Sequence, residues 1–220
     1  LHLSIRRQRQ MCIRDSHTDK IICGIDRAIK MNVGLLKPNK VLVKDKYIDL
    51  TSNDRKASAR LMRINHTGEI CAQGLYQGQA FSTQSTEISK LMKKAAEEET
   101  DHLIWCETRL FELGSRVSYL NPLFYLGSFL IGSIAGVLGD KVNLGLVAAT
   151  EDGVAKHLQS HLDKLPETDL RSREILSRMK EDEKRHADTA LTAGAHQFPP
   201  LIKGLMTWAS KIMTKTTYWV

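Results

Sequence analysis

Apolar residues at Leu61, Ile64, Ile70, Leu75 and Tyr76 recur at helical spacing. With Asn53 as N-cap they predict a long helix running to about Phe81. The polar run Ser82–Ser85 breaks it. A second helix is predicted from about Thr86 to Leu113, stopped by Gly114, a residue suited to closing a helix. An uncharged stretch of 23 residues, Val117 to Gly139, follows, interrupted by Asn121–Pro122 and carrying Gly127, Gly132 and Gly136. Two more helices are predicted, from about Val142 to Leu165 before Pro166, and from about Glu167 to Ala193 before Gly194. Pro199 and Pro200 then open a short C-terminal helix. Upstream, residues 17–53 show only a short apolar piece near Ile21–Ile29 and a Lys-rich linker. No solenoid-type repeat or low-complexity tract is present.

The C-terminal helix is two-sided. Lys203, Thr207, Lys211 and Lys215 line one side, with Leu201, Leu205, Trp208, Ile212 and Met213 across from them. That pattern suits the plane of a membrane interface, or packing on the helix's own bundle. Val117–Gly139 matches a membrane span by length. A single span, however, would put the helices before and after it on opposite sides of the bilayer.

Composition agrees with helices. Only 6% of the 220 residues are aromatic and five are Pro, a balance that leans away from a β-sandwich. The four cysteines, Cys12, Cys23, Cys71 and Cys106, show neither CxxC nor zinc-like spacing, so reduced thiols in a cytosolic compartment are expected. The net charge is +7. The run RRQRQMCIRDS, Arg6 to Ser16, supplies +3 of it and reads as a translated sequencing adapter. Residues 1–16 are therefore expected to be an artefact of assembly, with 17–53 a variable N-terminal segment and 54–220 the functional domain. The remaining +4 fits an anionic membrane surface, and no aromatic-plus-basic stripe calls for nucleic acid.

Two Glu-x-x-His pairs occur, Glu99–His102 and Glu183–His186. Residues i and i+3 share a helix face, so each pair aims a carboxylate and an imidazole at one point. With twelve Glu and eight His in the chain, roughly 0.4 such pairs arise by chance, so one alone means little. Spacing makes the case. Glu69 and Glu99 are equidistant from position 84, inside the first polar break, and Glu151 and Glu183 from position 167, beside Pro166. In an antiparallel hairpin, residues equidistant from the turn sit level, here roughly 22 Å from it. Two hairpins docked face to face would bring together four carboxylates and two imidazoles, the ligand set of ferritin-like di-metal proteins. Four buried acids need compensating cations, and mixed carboxylate and imidazole donors suit iron, with manganese the alternative. Glu97 and Glu98 read as solvated surface acids. His66, three residues before Glu69, suits packing or support of a ligand better than ligation itself. His157 and His161 share one helix face with no Glu partner and read as surface or proton-relay residues.

At these residues the sequence resembles the demethoxyubiquinone hydroxylase family of ubiquinone biosynthesis. The matching stretches are RLMRINHTGEICAQGLYQGQA, AAEEETDHLIWC, LNPLFYLGSFLIGSIAG, LGLVAATEDGVAKHL, EDEKRHADTAL and KIMTKTTY, running from about Leu61 to the C-terminus. The resemblance implies an all-α, ferritin-like four-helix bundle with an apolar crossover helix and a C-terminal amphipathic helix. It implies two iron ions per chain, held by Glu69, His102, Glu151 and His186 as terminal ligands with Glu99 and Glu183 bridging. It further implies O₂-dependent hydroxylation of a polyprenylated quinol ring. The expected location is peripheral, at the cytoplasmic face of the cell membrane, with quinone-biosynthesis proteins or further copies of the chain as candidate partners. Electrons must come from outside the chain, since no strand-bound GxGxxG or flavin motif occurs. The rival readings are a ferroxidase or iron-storage protein, a tRNA hydroxylase on the same bundle, and a non-enzymatic membrane adaptor.

Overall fold

The computed structural model describes residues Leu50–Val220, which lie within one compact unit, Pro38–Val220. The segments read above as an adapter run and a variable N-terminal piece, and Cys12 and Cys23 with them, lie outside the described residues. Among the described residues there are six helices and no strand: α1 (Ser52–Ser82), α2 (Thr86–Glu112), α3 (Asn121–Val137), α4 (Asp140–Lys164), α5 (Leu170–Thr192) and α6 (Pro200–Thr217). The fold is an all-α, ferritin-like bundle. Helices α1 and α2 form one hairpin and α4 and α5 the other, with α3 as the crossover between them.

Local chemistry sets the helix ends. Asn53 is not the first cap. Thr51 is: its Oγ1 accepts from the backbone N–H of Asp54 at 3.2 Å and donates to the Asp54 carboxylate at 2.8 Å. Ser85 caps α2 by accepting from the Ile88 N–H. The fourth bundle helix starts later than the Pro166 break suggests, because Asp169 caps α5 through the Ser172 N–H. Gly114 and Gly194 follow α2 and α5 at φ 68° and 93°, and in each case the next residue donates back to the carbonyl five positions earlier. This is the 6→1 closure that favours glycine. At the far end of the bundle, buried Arg109 of α2 donates to Asp169 at 2.8 Å and to Ser172 at 2.9 Å, tying the two hairpins together.

The crossover helix α3 lies along α1, running parallel to it, and the two backbones nearly touch. A Cβ on Gly74 or Gly78 of α1 would strike the backbone of Tyr125 or Phe129, and one on Gly132 would strike the Leu75 carbonyl. Small residues at i, i+4 on both helices permit this approach. At 17 residues α3 is shorter than the uncharged stretch that contains it, and no helix among the described residues is long and apolar enough to cross a membrane. Its outward stripe, Leu123, Leu126, Leu130, Ile134 and Val137, is exposed. Helix α6 is exposed along nearly its whole length, with Thr217 its one buried residue. Arg60 of α1, set over the rings of Tyr218 and Trp219 at 5.0 Å from each, anchors the chain just beyond it. The bundle leaves Leu201, Leu205, Trp208 and Ile212 of the apolar α6 face exposed, and Met213 alone of that face is half-buried.

Candidate metal centre

The two turns fall at Thr83–Ser85 and at residues 165–169, centred where the spacing of the acids requires. Glu69, Glu99, Glu151 and Glu183 therefore meet at one level of the core, with His102 and His186 beside them. All four carboxylates and His102 are buried, and the His186 side chain is 10% exposed. Ligand atoms of Glu69, Glu99, His102 and Glu183 lie within 4.8 Å of one another, and so do those of Glu151, Glu183 and His186. Glu183 belongs to both groups. Glu99 joins them as well, with one oxygen 2.7 Å from His102 Nδ1 and the other 2.9 Å from His186 Nδ1. These two glutamates are thus the central pair, each facing both imidazoles.

Placed together without a cation, the acids disturb one another. Burial, with Glu99 next to each, pushes Glu69 and Glu183 well above the usual carboxylate range, and burial also raises Glu151. Burial acts the same way on Glu99, but the His102 and His186 imidazoles outweigh it and hold that carboxyl down to about 2. His102 is itself pushed well above its ordinary value, against its burial, by Glu99, Asp182 and Glu183. Both oxygens of Glu99, one of Glu183 and Nδ1 of each histidine are buried with no partner in hydrogen-bond alignment. Five orphaned donor atoms converging on one space, of the kinds that ligate iron or manganese, are what a metal centre requires.

The bundle supports these residues with others that sequence reasoning passed over or misjudged. The Tyr76 hydroxyl donates to Glu151 Oε1 from α1. The sequence marks Tyr76 as a core residue, and its place about two turns beyond Glu69, on the same helix face, is the available signal. Tyr76→Phe should lower metal affinity by about tenfold, as loss of a ligand's supporting hydrogen bond does. Competition with a metal-sensing dye measures this, and the melting temperature should hardly change.

Glu98 is not an idle surface acid: its Oε2 stands 2.9 Å from His186 Nε2. Asp182 does the same for His102 Nε2 at 3.2 Å. Glu97 is exposed, as expected. His66 is buried outside the cluster, with Nδ1 3.3 Å from the Asn121 amide, and is a packing residue between α1 and α3. His161 is not on the surface either; it is buried and its Nδ1 lies 2.8 Å from Asn65 Oδ1. His157 lies against it with the rings tilted by 57°, centroids 4.0 Å apart. Cys71 and Cys106 are free thiols, and burial pushes Cys71 up to about 11.

Known proteins share this arrangement of sequence. Residues 56–217 match the family described as ubiquinone biosynthesis protein COQ7. The chain is 48% identical to a 3-demethoxyubiquinol 3-hydroxylase of Legionella pneumophila (strain Paris) over 211 residues, 93% of this chain and 98% of that protein. It is 48% identical to the protein of that name in Nitrosococcus oceani, covering 94% of this chain and 98% of the relative. With its counterpart in Pseudomonas syringae pv. syringae it shares 52% identity, covering 92% and 96%. Six converging ligand candidates on a ferritin-like bundle, and a match spanning most of the chain, make it a member of the COQ7 family of ubiquinone biosynthesis proteins.

Proposed function

We propose that this chain is a 3-demethoxyubiquinol 3-hydroxylase, a monooxygenase acting in ubiquinone biosynthesis, with two iron ions held by Glu69, Glu99, His102, Glu151, Glu183 and His186. The convergence of those six side chains inside the bundle carries the reading. Iron bound there supplies the redox chemistry by which O₂ gives one oxygen atom to the quinol ring and the other to water, with two electrons from an outside donor. The chain's own contribution is placement. Glu99 and Glu183, each facing both imidazoles, would be shared by the two ions. Tyr76 fixes Glu151, and the apolar residues Ala72, Leu144, Val147 and Ala148 of α1 and α4 pack in the same part of the core and keep water scarce. The direct test is lipid mass spectrometry of a bacterial strain lacking its own hydroxylase. Expression of this chain should convert accumulated demethoxy-ubiquinone to ubiquinone; a strain that continues to accumulate it while holding soluble, metal-loaded protein refutes the assignment.

The same reading includes peripheral attachment to the cytoplasmic face of the membrane, where a polyprenylated quinol resides. Three features support it: the exposed apolar stripe of α3, the exposed Leu201, Leu205, Trp208 and Ile212 of α6, and the cations beside them. Arg116 stacks on Tyr119 at 3.8 Å where α3 begins, and Arg60 stacks on Tyr218 and Trp219 beyond α6. Aromatic rings with cations at the edge of an apolar face suit a lipid headgroup layer. Apolar burial, at roughly 25 cal/mol per Å², is insensitive to salt, whereas attraction of Lys203, Lys211 and Lys215 to anionic lipid is screened. High salt should therefore release only part of the protein from anionic liposomes, and Leu205→Glu with Trp208→Glu should release much more. Activity on a short-tailed, soluble quinol should survive those two changes better than activity on a long-tailed one. Equal loss on both would mean that α6 serves the bundle and not the membrane.

A further inference from the structure

Each imidazole of the cluster turns its far nitrogen to a carboxylate that is not part of the cluster, and the two carboxylates hold matching places in the chain. Asp182 immediately precedes Glu183 on α5 and reaches across to His102 on α2. Glu98 immediately precedes Glu99 on α2 and reaches across to His186 on α5. Successive helical residues differ by about 100° around the axis, so the residue before each central glutamate points along the α2–α5 seam towards the opposite histidine. An acceptor at Nε2 selects the tautomer whose Nδ1 lone pair faces the cluster, and it fixes the plane of the ring.

The two supports are built alike but held differently. The Asp182 side chain is 6% exposed and clamped by Arg185 at 2.6 Å, with Arg178 at 3.7 Å. To release His102, Asp182 would have to leave these cations as well. The Glu98 side chain is 39% exposed, and its nearest cation, Lys94 at 3.7 Å, is itself 74% exposed. Rotating Glu98 into water costs one exposed ion pair, a weak restraint. A cleft of about 260 Å³ opens between α2 and α5 at this point, bordered by Lys94, Glu98 and both imidazoles. His186 is also the less buried of the two rings, at 10% exposed against 2% for His102.

We propose that Glu98 and Asp182 are positioning residues for the two ligand imidazoles, and that Glu98 is the movable one, so that the metal position built on His186 and Glu151 exchanges its ion through the α2–α5 cleft faster than the position built on His102 and Glu69. The inference rests on the two-metal reading above. The test is metal release from the full chain loaded without oxygen with two equivalents of ferrous iron. An iron(II) chelator is added in excess, and chelate absorbance is followed alongside the metal remaining on the protein. Release should occur in two phases of equal amplitude. Glu98→Ala should speed the fast phase by about 10- to 100-fold and leave the slow phase within about twofold, with Glu98→Gln, which keeps an acceptor oxygen, in between. Asp182→Asn should speed the slow phase; should that variant fail to fold, Arg185→Gln loosens the clamp from the surface and should do the same to a lesser degree. A single phase in the unaltered protein, or equal acceleration of both phases by Glu98→Ala, overturns the proposal. Binding of fewer than two ions would overturn the two-metal reading and this inference with it.

Discussion

Glu183→Ala is expected to abolish hydroxylation and to strip the protein of tightly bound metal, while Glu97→Ala leaves both near the levels of the unaltered protein. Glu183 belongs to both ligand groups, so its loss leaves neither position complete. Glu97, two residues from Glu99 on the same helix, is exposed and outside the cluster. Turnover should fall by about a thousandfold or more, the scale expected when the metal that does the chemistry is lost. Metal analysis of the purified variant and quinol hydroxylation by the same sample check the two halves together. Comparable loss in both variants would remove Glu183 from the site.

Stability should respond in the opposite direction. In the metal-free protein, burial and the neighbouring Glu99 and Glu151 oppose ionisation of Glu183. Glu183→Gln keeps the volume of the side chain and is neutral without taking up a proton, so it removes the cost of burying a carboxyl there without opening a cavity. The metal-free variant is expected to melt above the metal-free parent, by about 2–4 °C for each kcal/mol relieved. Added metal should reverse the order, because the parent gains a ligand field that the variant lacks. A metal-free variant that melts lower would mean that Glu183 is held by hydrogen bonds and not strained by its neighbours.

Gly78→Ala should be among the most damaging single-carbon additions in the molecule. The new Cβ would meet the Phe129 carbonyl and the Ser133 N–H, backbone atoms that cannot rotate away, so α1 and α3 would have to separate. Overpacking of this kind costs about 1–3 kcal/mol or more, which outweighs the roughly 1 kcal/mol that alanine gains over glycine as a helix former. Gly127→Ala is the matched control. Gly127 lies on the exposed face of α3 with no atom near its missing Cβ, so only the helix-propensity gain remains. Denaturant unfolding should move the two variants in opposite directions. Destabilisation of both to the same extent would mean that the close approach of α1 and α3 is not what makes Gly78 sensitive.

The sequence alone determined the carboxylate and imidazole cluster and the bundle that presents it. A carboxylate and an imidazole three residues apart share a helix face whatever surrounds them, and equal distance from a turn sets equal height in a hairpin. Both are properties of single helices or of one turn, so Glu69, Glu99, His102, Glu151, Glu183 and His186 were readable before any packing was known. The helix stops at Gly114 and Gly194 were equally local. Other matters were decided only between elements. Glu97, Glu98 and Glu99 are adjacent and identical in kind, yet one is solvated, one supports His186 and one lies in the cluster. Their different roles follow from how α2 is rotated about its own axis relative to α5, which the packing of the whole core sets. His161 is buried because α4 turns that face to Asn65 of α1. Gly74, Gly78 and Gly132 matter only once α3 is laid against α1, where the absence of a side chain is what lets the backbones meet. Periodicity fixes which residues share a face; only the assembled helices fix what that face confronts.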